Sequence, residues 1–93
     1  MIEQPPVDFT KVETLRRHML LTTGNMSTLF GVSRMTYYGW VKGKPLRKSN
    51  DIVVRRVLRQ LLDVMKNHQW PTPEVIASGQ RDRFSRLQEL LNT

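Results

Sequence analysis

Thr23-Gly24-Asn25-Met26-Ser27-Thr28-Leu29-Phe30-Gly31-Val32-Ser33-Arg34-Met35-Thr36-Tyr37-Tyr38-Gly39-Trp40 has the pattern of two short helices joined by a tight turn. Gly31 stands where the first helix must stop and the chain must turn, a place that favours positive φ and therefore glycine. Ser33 follows two residues later, where its side-chain oxygen can cap the second helix. Ser27, four residues before the glycine, supplies a small side chain where the helices come closest. Met26, Phe30, Val32, Tyr37 and Trp40 are the expected inward positions that hold the pair together.

Charge is concentrated on the same stretch. No Asp or Glu lies between Glu13 and Asp51, whereas Arg16, Arg17, Arg34, Lys42, Lys44, Arg47 and Lys48 do. The whole chain has 15 basic and 8 acidic residues, so this segment accounts for the formal net charge of +7. An excess that overlaps a helix-turn-helix pattern is expected of a surface that meets phosphates; the bland alternative is a solubilising basic face.

With Tyr37 and Trp40 facing inward, helical geometry turns Arg34, Met35, Tyr38 and Gly39 outward, with Lys42 further along the same side. These four residues are the candidate base contacts of a helix, about Arg34 to Lys42, lying in a major groove. Arg34, in the first turn, can donate two hydrogen bonds to guanine O6 and N7. Met35 and Tyr38 can touch a thymine methyl, and the Tyr38 hydroxyl can instead reach a phosphate or pack beside the basic loop. Gly39 either lets DNA approach closely or avoids a clash with the core. Ser33, Thr36, Lys42, Lys44, Arg47 and Lys48 are candidate phosphate contacts, which set affinity and orientation but not sequence choice. Thr36 is equally suited to joining the Ser33 cap, and Arg55, Arg56 and Arg59 face either DNA or solvent.

Around this motif the chain reads as all-α, a compact bundle of about five to six helices in 93 residues. Residues 1–8, with Pro5 and Pro6, are expected to form an extended arm, 9–69 the helix-turn-helix domain, and 70–93 a C-terminal helical extension that docks on that domain or makes a dimer. A first helix starts near Asp8 or Thr10 with Phe9, Val12, Leu15, Met19 and Leu20 on its apolar face. Thr22 to Asn25 reads as a turn, with the second helix from about Asn25. Lys44 to Lys48 reads as a basic loop. Ser49 or Asn50 is the expected cap of a long helix that buries Val54, Val57, Leu58, Leu61, Leu62 and Met65, with Ile52, Val53 and Val64 widening the stripe. Thr72-Pro73 opens a short helix to about Ala77, and a last one spans about Arg81 to Leu91 with Phe84, Leu87, Leu90 and Leu91 on one face.

Thr23 to Gly43 resembles the lambda-repressor-like, or Cro/repressor-type, helix-turn-helix family, through Gly31-Val32-Ser33, Tyr37, Trp40 and Gly43. The resemblance implies a bundle of about five helices and operator binding as a homodimer on a near-palindromic site. Thr23 stands where many members carry Gln, Val41 where many carry Glu, and Tyr37 is bulkier than their usual Ile or Val.

The function expected is a sequence-specific, double-stranded DNA-binding transcription regulator acting by promoter occupancy as a repressor, located in the cytoplasm at the nucleoid. A contact with RNA polymerase is a further partner it would accommodate. The alternatives are a protein-interaction module, or a DNA-packaging or recombination recognition module without a transcriptional role. No enzyme is expected: the eight acids are scattered, and His18 and His68 lack metal-ligand spacing with them. No cofactor is expected. With no cysteine there is no disulfide framework or thiolate site. Met1 to Pro6 lacks a basic stretch followed by an apolar run, so no secretory signal is expected, and no apolar run approaches the length of a membrane span.

Overall fold

Asp8 opens the first helix by accepting a hydrogen bond from the Thr10 amide, and α1 follows over Phe9–His18. The computed structural model describes residues 5–92. Beyond α1 come α2 (Thr23–Phe30), α3 (Arg34–Val41), α4 (Lys48–Asn67), α5 (Pro73–Ala77) and α6 (Gln80–Leu91). The chain is an all-α bundle with no strand among the described residues. No helix among them is long and apolar enough to cross a membrane. Of the expected N-terminal arm, residues 1–4 lie outside the described residues; residues 5–8 are irregular, and the Pro5 carbonyl accepts a hydrogen bond from Arg55 Nη2 at 2.6 Å.

The α2–α3 connection has the chemistry its residues demand. Gly31 is left-handed at φ +72°, and its amide donates to the carbonyl of Thr28. Ser33 caps α3 by accepting from the Thr36 amide at 3.1 Å. Ser27 is buried, and its hydroxyl donates to the Gly24 carbonyl. Gly43, at φ +107°, turns the chain out of α3.

One aromatic cluster joins α1, α2 and α3. Phe9 lies 6.2 Å from Tyr37 and 5.6 Å from Trp40, and Phe30 lies 6.0 Å and 6.2 Å from the same two rings. Such separations suit edge and offset ring packing, each pair contributing about 0.5–1.5 kcal/mol beyond area burial. Met26 packs into the same core, and Val54, Val57, Leu61 and Val64 bring α4 against it.

Several boundaries differ from the sequence reading, each for a local reason. Thr22 is a cap, not part of a turn: its hydroxyl accepts from the Asn25 amide while the Asn25 side chain accepts from the Thr22 amide, so α2 begins at Thr23. This reciprocal pairing satisfies two amides that a helix start would otherwise leave open. Lys48 belongs to α4 and not to the loop, and neither Ser49 nor Asn50 caps it. The Arg47 carbonyl already accepts from the Asp51 amide, without any side-chain cap, and the Asp51 carboxylate sits in the first turn where the helix dipole favours it. Leu20 does not extend the α1 face. It reverses the chain at φ 61°, and Leu21 enters the core in its place. On α4, Ile52 and Leu62 are 59% and 50% exposed, and Val64 takes the buried place. α4 packs against α2 and α6, and Ile52 and Leu62 fall outside the faces so covered.

The C-terminal extension packs on the same core. Trp70 is buried, and its indole Nε1 donates to the Met19 carbonyl at 2.9 Å. Thr72 caps α5 with Pro73 in its first turn. Val75 and the fully buried Leu87 close α5 and α6 over the bundle, with Phe84, Leu90 and Leu91 partly covered. Every buried side-chain polar atom among the described residues has a partner.

Candidate nucleic-acid interface

α3 buries Tyr37 and Trp40, so its other side faces solvent. Arg34, Met35, Thr36 and Tyr38 are all exposed there, Met35 at 83%. Lys42 ends α3, and Lys44, Arg47 and Lys48 are exposed along the segment that leads into α4. The candidate residues thus lie at the cap of α3 (Ser33), along its outer side and end, on the loop that follows and, for Lys48, at the first position of α4.

Each of these side chains also has a local setting. The Arg34 guanidinium lies across Gly24 at the start of α2: a Cβ placed on that glycine would meet Arg34 Nε at 3.2 Å. The Tyr38 hydroxyl shares a hydrogen bond of 2.9 Å with Thr23 Oγ1. Thr36 joins the cap, its hydroxyl accepting from Ser33 Oγ at 3.0 Å. The outer side of Gly39 is covered by Lys44, whose Cδ would be 3.1 Å from an added Cβ. The backbone amide of Lys44 donates to the Gly39 carbonyl, which folds the loop back along α3. The Lys44 stem therefore crosses the outer side of Gly39, which has no side chain to obstruct it. Arg55 is occupied by Asp51 and the Pro5 carbonyl.

Beneath this surface lies a polar link that the sequence reading did not single out. The Tyr37 hydroxyl donates to Glu13 Oε2 at 2.6 Å. Arg16 donates to both oxygens of the same carboxylate, at 2.7 and 3.1 Å, and its Nη1 reaches the Leu21 carbonyl at 3.0 Å. Burial of the phenol, and then the adjacent Glu13 carboxylate, push the Tyr37 pKa upward, so it remains a donor throughout the ordinary pH range. Burial acts to raise the Glu13 pKa, but the hydrogen bonds from Arg16 and Tyr37 and the charges of Arg16 and Arg17 outweigh it, and the carboxyl is held below its ordinary value. A signal for this link exists in the sequence: a tyrosine at an inward position needs an acceptor, and Glu13 lies four residues after Phe9 on the face of α1 that turns inward.

The depressed Glu13 pKa gives a pH dependence with a definite sign. A carboxylate more acidic when folded stabilises the fold above its unfolded pKa, and that stabilisation is lost as pH falls through the folded value. Chemical denaturation should show wild type more stable than Glu13→Gln at neutral pH, with the gap narrowing as pH drops below the ordinary glutamate value of 4.5. A gap that stays constant from neutral pH to the acid limb would mean the carboxylate charge contributes nothing.

Among the described residues no group of three His, Cys, Asp or Glu side chains is placed to hold a metal ion. Comparison with family models, with characterised proteins and with solved structures yields no match to this chain.

Proposed function

We propose that this protein is a sequence-specific, double-stranded DNA-binding transcription regulator that lays α3 in a major groove. The observation that carries this reading is the two-sidedness of α3. Tyr37 and Trp40 anchor it, while Arg34, Met35 and Tyr38 are exposed on the opposite side, with Lys42 at its end and Lys44 crossing Gly39. A surface built from a bidentate donor, an apolar contact and flanking cations matches what base edges and phosphates require. The absence of any acid between Glu13 and Asp51 removes repulsion from the same surface. In this reading the protein binds as a homodimer on paired half-sites, represses by occupying a promoter at the nucleoid, and leaves room for contact with polymerase. The likeness of Thr23 to Gly43 to the Cro/repressor-type motif supports it.

Selection of the purified protein on a random duplex library at two salt concentrations tests the proposal. A recovered motif is expected, as two inverted half-sites about one helical turn apart. Enrichment with no motif, lost at the higher salt, would overturn sequence-specific recognition and favour the protein-interaction alternative. Lys44→Ala should weaken binding to every duplex to a similar degree and lower the slope of log affinity against log salt by about 0.9. A slope equal to that of wild type would remove Lys44 from the phosphate contacts.

A further inference from the structure

Two adjacent tyrosines hold α3 from two different helices. Tyr37 reaches down to Glu13 on α1, and Tyr38 reaches sideways to Thr23 on α2. Successive helical residues diverge by about 100°, so the two bonds pull on α3 in different directions around its axis. The rings of Phe9, Tyr37 and Trp40 also pack between α1 and α3. Ring packing is broad in angle and tolerates a small roll of the helix, whereas hydrogen bonds weaken steeply when misaligned. Arg16 fixes the acceptor in turn, because it holds both Glu13 oxygens and the Leu21 carbonyl.

We infer that the Tyr37–Glu13 and Tyr38–Thr23 hydrogen bonds form a double strap that sets the roll of α3, which makes Glu13, Thr23 and Tyr37 positioning residues for base recognition. The recognition part of this inference rests on the DNA-binding reading; the strap itself does not. Geometry gives the sensitivity. Side-chain tips lie about 5–6 Å from a helix axis, so a roll of about 15° displaces them by about 1.5 Å. Recognition constellations tolerate about 0.5 Å and 10–20°. Losing the strap therefore moves Arg34 and Met35 out of register with base edges, but leaves the basic loop able to reach phosphates. Tyr38 has a second part in this: any DNA contact made by its hydroxyl must share or release Thr23.

The test uses Tyr37→Phe, Thr23→Val and the double variant, which keep the ring and the branched shape but remove the hydroxyl. Backbone N–H residual dipolar couplings of the free protein report the orientation of α3 against α1 and α4. Affinity for the selected duplex and for a scrambled one reports recognition. The expected result is a reoriented α3 in the double variant and a loss of about tenfold in the ratio of the two affinities, with binding to the scrambled duplex unchanged. Couplings identical to wild type in all three variants would overturn the strap. A reoriented α3 with an unchanged ratio would overturn its role in recognition. Reoriented couplings beside a wild type that prefers no sequence would leave the strap standing and overturn the DNA-binding reading instead. Should Tyr37→Phe fail to fold, Thr23→Val, which leaves the buried cluster untouched, carries the same measurements.

Discussion

Trp70→Ala is expected to lower the stability of the protein by about 3–5 kcal/mol, measured as a shift of the denaturant midpoint at unchanged slope. Two losses combine. The indole is 3% exposed, so its removal opens a cavity between α1 and the C-terminal helices. Its Nε1 is also the donor to the Met19 carbonyl, which the substitution leaves buried without that partner. Trp70→Phe keeps a phenyl ring in the site but loses the donor and part of the indole volume, so a smaller loss of about 1–3 kcal/mol is expected. A total loss near 3–5 kcal/mol is a large share of what a domain of this size has in reserve. If Trp70→Ala instead costs less than about 1 kcal/mol, the segment from Trp70 onward is not part of the cooperative unit, since exposed substitutions behave that way. Trp70, Val75 and Leu87 belong to the same buried cluster as the side chains of α1 to α4.

Arg34→Ala is expected to have the largest effect on recognition. Under the proposed function, affinity for the selected duplex should fall by about 1–3 kcal/mol, or about 5- to 150-fold, and the preference at one base position should relax. Binding to unrelated duplexes should change little. Equal loss on all sequences would instead assign Arg34 to the phosphates. The arginine rests across Gly24 on α2. Gly24→Ala intrudes on that resting place from 3.2 Å, and should displace the guanidinium without disturbing the core.

Much of the helical core was legible before any coordinate. Gly31, Ser33, Thr72 and Pro73 do in the structure what their backbone and capping chemistry suggested. The inward set Met26, Phe30, Tyr37 and Trp40 follows from periodicity alone. The outward set on α3 was legible for the same reason, because fixing one face of a short helix fixes the other. Less legible were places where two choices were locally equivalent. The Thr22–Asn25 stretch has turn composition, yet the same side chains make a reciprocal helix cap. Leu20 and Leu21 are interchangeable by hydropathy, and only the left-handed turn at Leu20 decides which is buried.

The sequence by itself determined the helices, the turn between α2 and α3, the faces they bury and the concentration of positive charge beside them. These depend on residues close together in the chain, through capping, periodicity and glycine conformation. Tertiary structure alone decided which groups far apart in the chain meet: Tyr37 with Glu13, Tyr38 with Thr23, Arg34 over Gly24, and Trp70 with the Met19 carbonyl. The physical reason is one of distance. Helix formation is settled by neighbours within a turn or two, whereas a hydrogen bond forms only when two helices are placed to within a few tenths of an ångström. That placement is set by the packing of the whole core at once.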